Sequence, residues 1–156
     1  MASPIVKYAS NAVDASGATI VVSVPSVMAG NGVIFFVTAD TLTATNLTVS
    51  DGVDTTGTVT MHAGDASTNC AAGRFVHLIA STSGDKVYTA TLGGAFSERR
   101  IIAAEFDFTG SLSLDVTTAQ QGNSNSANSG AIFTASEPIL VFGGLTAPFC
   151  RSFRVH

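Results

Sequence analysis

The sequence predicts an all-β chain: an antiparallel β-sandwich, jelly-roll-like, built from about ten short strands. Three observations carry that prediction. Runs rich in Val, Ile, Thr and Phe recur along the chain, at the strand-and-turn spacing of sandwiches and barrels. Clusters of Gly, Ser, Asn, Asp and Pro separate them, which is turn composition. No window keeps a convincing 3.6-residue apolar period, and the helix formers Glu, Lys, Gln and Arg are scarce.

Residues 1–12 read as an N-terminal arm or a first edge strand, with Pro4, the apolar pair Ile5 and Val6, and Tyr8. The edge strand is the plainer of the two readings. As an arm, these four residues would contact a partner, because an ordered arm needs a surface to order it. Residues 13–156 read as a single β-sandwich domain.

"ATIVVSVP" at 18–25 is β-branched and is expected to stop at Pro25, which cannot donate to a central ladder. "MAGN" is a turn by composition and leads into "GVIFFVTA" at 32–39. "NLTVSD", "GTVTMHA", "RFVHLIAST" and "KVYTATL" follow as further strands. "DGVD" at 51–54 and "SGDK" at 83–86 look like tight hairpin turns in which Gly supplies a positive φ. In "IIAAEFDF" the alternation puts Ala104, Phe106 and Phe108 inside and Glu105 and Asp107 outside. "SLSLDVTT", "AIFTA", "EPILVFGG" and "RSFRVH" complete the expected strands. Between them, "QQGNSNSANSG" at 120–130 carries no charge and reads as an ordered rim loop at a subunit contact. There Gln121, Asn123, Asn125 and Asn128 would pair with a neighbour without the cost of desolvating charge.

The chain has 156 residues, of which 46% are apolar and only 12% charged. That charge content is about half the usual share, and it suits a surface that meets other protein surfaces. The net charge of −4 and the seven basic residues argue against nucleic acid, which asks for a basic stripe. The longest apolar run, "VIFFV", is far shorter than the ~20 residues a membrane-spanning helix needs. The N-terminus lacks a basic start followed by an apolar stretch, so cytosolic synthesis is expected. Cys70 and Cys150 are then expected as free thiols, although a disulfide between them stays open on sequence alone.

No catalytic constellation stands out, and no cofactor or metal is expected. Glu105 and Asp107 share a strand face about 7 Å apart, which is within the range of glycosidase carboxylate pairs. Two acids on the outside of a strand are more commonly a solubilising pair that discourages edge pairing. "DGVDTTG" has acids three apart near glycines, but it lacks the oxygen spacing and closing Glu of a calcium loop. His62, His77 and His156 are scattered, and His77 reads as a core-edge histidine with its ring nitrogens bonded to neighbours. Glu98 beside Arg99 and Arg100 suggests an ordinary ion pair at a strand end or between subunits.

Four stretches together carry a family resemblance: "ATIVVSVPSVMAGNGVIFFVTA", "RFVHLIASTSGDKVYTATL", "ERRIIAAEFDFTGSLSLD" and "QQGNSNSANSGAIFTASEPILVFGGL". This succession resembles a domain pattern of tailed-phage virion proteins and of some bacterial surface proteins. It departs from that pattern in having "GNG" at 30–32 where an acid is usual, and in having no tryptophan. The resemblance implies a non-enzymatic capsid decoration (cement) protein, made in the host cytoplasm and carried on the outside of the virion. Its implied partners are the major capsid protein and two further copies of itself, as a homotrimer. The resemblance also implies an alternative, a receptor- or carbohydrate-binding module of a tail fibre or bacterial surface protein.

Overall fold

Long-range pairing, more than local propensity, decides where these strands go. The computed structural model describes residues 5–39, 46–57, 59–60 and 72–107. Its strands are β1 (Ile5–Val13), β2 (Gly17–Val27), β3 (Gly32–Ala39), β4 (Asn46–Ser50), β5 (Val59–Thr60), β6 (Ala72–Ile79), β7 (Gly84–Phe96) and β8 (Arg99–Phe106). They form two four-stranded sheets, ordered β1-β8-β3-β6 and β2-β7-β4-β5. Every pairing is antiparallel. Among the described strands, first pairs with eighth, second with seventh, third with sixth and fourth with fifth. A long hairpin of nested pairs, rolled into two sheets, is the jelly roll. The strands expected from 111 onward lie outside the described residues.

The core is the facing pair of inner surfaces. Val33, Phe35 and Val37 of β3 meet Ile20, Val22 and Val24 of β2, with Leu47, Val49, Tyr88, Ala90 and Leu92 beside them, all buried. Each large apolar side chain so buried is worth about 1.5–3 kcal/mol. Phe35 and Tyr88 join the two sheets edge to face, with centroids 4.9 Å apart. The Tyr88 hydroxyl finds no hydrogen-bond partner among the described residues. Burial, with the nearby charges of Asp51, Asp54 and Glu105, pushes its phenol well above the ordinary tyrosine range.

Two outcomes follow for Tyr88. Removing an unpaired buried hydroxyl costs no hydrogen bond, so Tyr88→Phe should hold stability or raise it by about 1 kcal/mol in urea unfolding. The raised folded pKa means that native protein holds the phenol proton more tightly than unfolded protein does. Stability is therefore full below about pH 10 and falls as pH rises above it, and Tyr88→Phe should lose less there. A clear loss of stability at neutral pH would mean that the hydroxyl is bonded.

Three expectations need correction. Pro25 does not end its strand: β2 runs on to Val27, with a register shift between Val24 and Val27. β2 stands at the edge of its sheet, where a bulge tolerates proline's missing N–H. Ser26 takes the strained turn there at φ 50, and its N–H donates to Asp85 Oδ1 at 2.8 Å. The "SGDK" segment is not a hairpin, because β6 and β7 belong to different sheets. Residues 80–83 carry the chain across the sandwich, and Gly84 still has a positive φ. The "DGVD" turn is a tight one, with Gly52 at φ 89 and Asp51 N–H bonded to the Asp54 carbonyl at 3.2 Å.

Glu105 is the third correction, because it faces inward with 0% exposure. On β8, Ile101, Ala103 and Glu105 share the inner face, opposite Val37, Phe35 and Val33 of β3. Its Oε1 accepts from the Met28 N–H and from Asn31 Nδ2, each at 2.8 Å. Lys7 lies 3.3 Å from Oε2. The charge is tolerated because the β2–β3 turn and β1 bring donors to it. Asp107, beyond the strand, is exposed.

Candidate interaction surfaces

Residues 5–13 are a strand of the sandwich, paired along β8 from Ile5↔Phe106 to Val13↔Arg99. β1 is also tied to the other sheet: Asn11 Nδ2 donates to the Val21 carbonyl at 2.7 Å, and Lys7 donates to the Ser26 carbonyl. Ile5 and Val6 lie within this strand. Tyr8 is 64% exposed on the outer face, opposite Ala104. Pro4, Gln121, Asn123, Asn125 and Asn128 lie outside the described residues, as do Cys70, Cys150, His62 and His156.

The sequence candidates for chemistry are occupied by structural work. Glu105 has no open surface to offer a substrate, so it cannot flank one together with Asp107. Asp51 Oδ1 accepts from the N–H groups of Val53 and Asp54 at 2.9 and 2.7 Å. Its Oδ2 takes the Lys86 ammonium at 2.7 Å, with both side chains buried. Burial alone raises the Asp51 carboxyl, but the Lys86 bond and charge, with the two backbone donors, outweigh it and hold the pKa below the usual carboxylate value. Asp54 Oδ2 accepts from the Ser81 N–H at 2.8 Å. Among the described residues no group of three or more His, Cys, Asp or Glu side chains is placed to hold a metal ion.

Around "SERRI", the ion pair among the described residues runs from Arg100 to Asp14 at 2.7 Å rather than to Glu98. Arg99 is buried and spends its guanidinium on backbone, donating to the Gly17 and Phe96 carbonyls. Gly17 leaves room for it, since a Cβ there would lie 3.0 Å from Arg99 Nη1. His77 is half-buried opposite Ile34, and its ring makes no hydrogen bond among the described residues.

The outer face of the β1-β8-β3-β6 sheet is the surface that the sequence reading missed. Cross-strand pairing lines its side chains up in rows. Tyr8, Ala104, Ile34 and His77 form one row, and Ser10, Ile102, Phe36 and Phe75 the next. Phe106, Gly32 and Ile79 form a third, at the end where β8 finishes. The Phe106 ring covers Gly32 so closely that a Cβ there would collide with it. Phe36 and Phe75 pack at 4.6 Å between centroids. Ile34, Phe36, Phe75 and Ile102 are half-buried, and Ile79 is 43% exposed. These three rows hold no charged side chain. The signal was present in "VIFFV" and "IIAA": a strand with one wet face alternates, whereas one covered on both faces reads as a continuous apolar run.

The outer face of the other sheet differs. Thr19, Thr91 and Thr48 form one row, Val21, Thr89 and Ser50 a second, and Ser23 stands opposite Val87. Hydroxyls and methyls fill these rows, again without charge. Together the two faces define a charge-poor jelly roll with one apolar and one hydroxyl-bearing exterior. Compared with family models, with curated proteins and with solved structures, the chain gives no match.

Proposed function

We propose that this chain is a non-enzymatic structural protein of a virion, which decorates and stabilises a phage capsid as a homo-oligomer. The observation that supports this reading best is the apolar outer face of the β1-β8-β3-β6 sheet. A sheet that is apolar on both sides needs a cover, and a closed ring of copies supplies one by turning that face of every copy toward the ring axis. Jelly rolls are a common architecture of viral shells, and the shortage of charge suits a surface kept against protein. The resemblance to tailed-phage virion proteins points the same way. A closed oligomer holds a shell by avidity: several weak contacts, made at once, release only together.

Sedimentation tests the reading. On this reading, shells of a major capsid protein from the same genome should carry it down, and the loaded shells should withstand heating better than bare ones. A chain that stays in the supernatant at saturating concentration contradicts the proposal.

A further inference from the structure

One end of the sandwich is a braced plateau made of three turns. The Ala29 N–H donates to Ser83 Oγ at 2.8 Å, and the Gly30 N–H donates to the Ala80 carbonyl at 2.8 Å. The Ala80 N–H returns to the Asn31 carbonyl at 2.9 Å, and the Ser81 N–H reaches Asp54 Oδ2 at 2.8 Å. Beneath, Lys86 joins Asp51 to Thr82, and Glu105 holds Met28 and Asn31. From this frame three large apolar side chains project, one from each turn or its flank. Met28 is 56% exposed, Val53 67% and Ile79 43%.

A single exposed apolar residue needs no explanation. Three on mutually hydrogen-bonded turns are a different matter, because a rigid frame presents them without the ordering cost that a flexible loop would carry into an interface. The exposed charge around them has one sign. Among the described residues this end holds the carboxylates of Asp51, Asp54, Asp85, Glu105 and Asp107 against the ammonium groups of Lys7 and Lys86. Both lysines are paired internally, with Glu105 and Asp51, so these two pairs cancel and the uncompensated carboxylates are Asp54, Asp85 and Asp107. Asp85 and Asp107 are exposed. The opposite end carries Arg74, Arg99 and Arg100 against Asp14 and Glu98.

We propose that the plateau of turns 28–31, 51–54 and 80–83 is the surface that docks on the shell, and that its partner is a protein face with apolar depressions rimmed by Lys and Arg. This rests on the reading of the chain as a virion structural protein, and it names the surface that reading needs. The plateau lies at the end of the strands, away from the middle of the sheet face on which copies would meet. Both contacts can therefore form at once, with Ile79 at the corner they share. Apolar tips supply the holding energy, and the acidic rim steers and registers the approach.

The test uses the full chain and shells of a major capsid protein from the same genome, as for the proposed function. Met28→Asp and Val53→Asp should each weaken co-sedimentation about tenfold, with thermal unfolding unchanged because both side chains are exposed. Val21→Asp, on the hydroxyl-bearing sheet face, should leave co-sedimentation as it was. Added salt should weaken retention of the unaltered chain by screening the rim. If the unaltered chain binds and both plateau variants bind as well as it does, the docking surface is elsewhere. If the unaltered chain does not bind, the proposed function falls and takes this inference with it.

Discussion

Glu105→Ala should cost the protein about 3 kcal/mol of unfolding free energy, because it leaves two part-buried donors unpaired and opens a space inside the sandwich. Two donors lose their acceptor, the Met28 N–H and the Asn31 amide, and the Lys7 ammonium loses its counter-charge. These come from the β2–β3 turn and from β1, so one carboxylate pins a turn and an edge strand to β8. Glu105→Gln separates the contributions. Its side-chain oxygen still accepts from Met28 and Asn31, while the charge facing Lys7 is gone, so it should lose about 1–2 kcal/mol. Urea unfolding of the two variants should therefore rank alanine well below glutamine. A loss under about 1 kcal/mol for alanine would mean that the carboxylate is solvated in solution rather than enclosed.

The second large effect lies at the Asp51–Lys86 pair. Asp51→Ala leaves the Lys86 ammonium inside the sandwich with only the Thr82 hydroxyl at 2.7 Å. It also removes the acceptor for the N–H groups of Val53 and Asp54. A loss of about 3 kcal/mol is expected. The pH dependence has a definite sign. The folded pKa of Asp51 is depressed, so native protein releases this proton more readily than unfolded protein does. The stabilisation is complete above the unfolded value near pH 4 and disappears as pH falls through the folded value. The gap between wild type and Asp51→Ala should therefore close in acid. A gap that stayed constant from neutral pH down to pH 2 would show that Asp51 acts through packing and not through its charge.

Local pattern made much of this fold legible. β3 occupies the 32–39 stretch that its β-branched and aromatic run marks out, and the 51–54 turn forms where Asp and Gly announce it. Pairing was not legible, since nothing in "SGDK" says that the strands on either side belong to different sheets. That depends on β3 lying between β6 and β8, a choice made over long sequence separations. Pro25 misled because a proline's effect depends on whether its strand is central or at an edge. Glu105 misled for a related reason. In "IIAAEF" both faces are apolar except for one acid, and the acid reads as the mark of a wet side. The donors that capture it come from Lys7 and from residues 28–31, which sequence distance hides.

The candidate surfaces were less legible than the fold. Tyr8 was named from its place near the N-terminus, and it does stand exposed on the outer face. Phe36, Phe75 and Ile102 were not singled out. A strand run tells how many faces are apolar, but not whether the second face meets the same chain or another. The plateau residues Met28, Val53 and Ile79 left no sequence signal, because exposure at a turn follows from how the turns are braced against one another.

The central claim is that the apolar outer face of the β1-β8-β3-β6 sheet is where copies of this chain meet. Light scattering on a gel-filtration column measures it most directly, with the unaltered chain beside Phe75→Lys and Val87→Lys. The account predicts a mass three times that of the 15.8 kDa chain for the unaltered protein and for Val87→Lys, and a folded monomer for Phe75→Lys. An unaltered chain that elutes as a monomer at every concentration would contradict it.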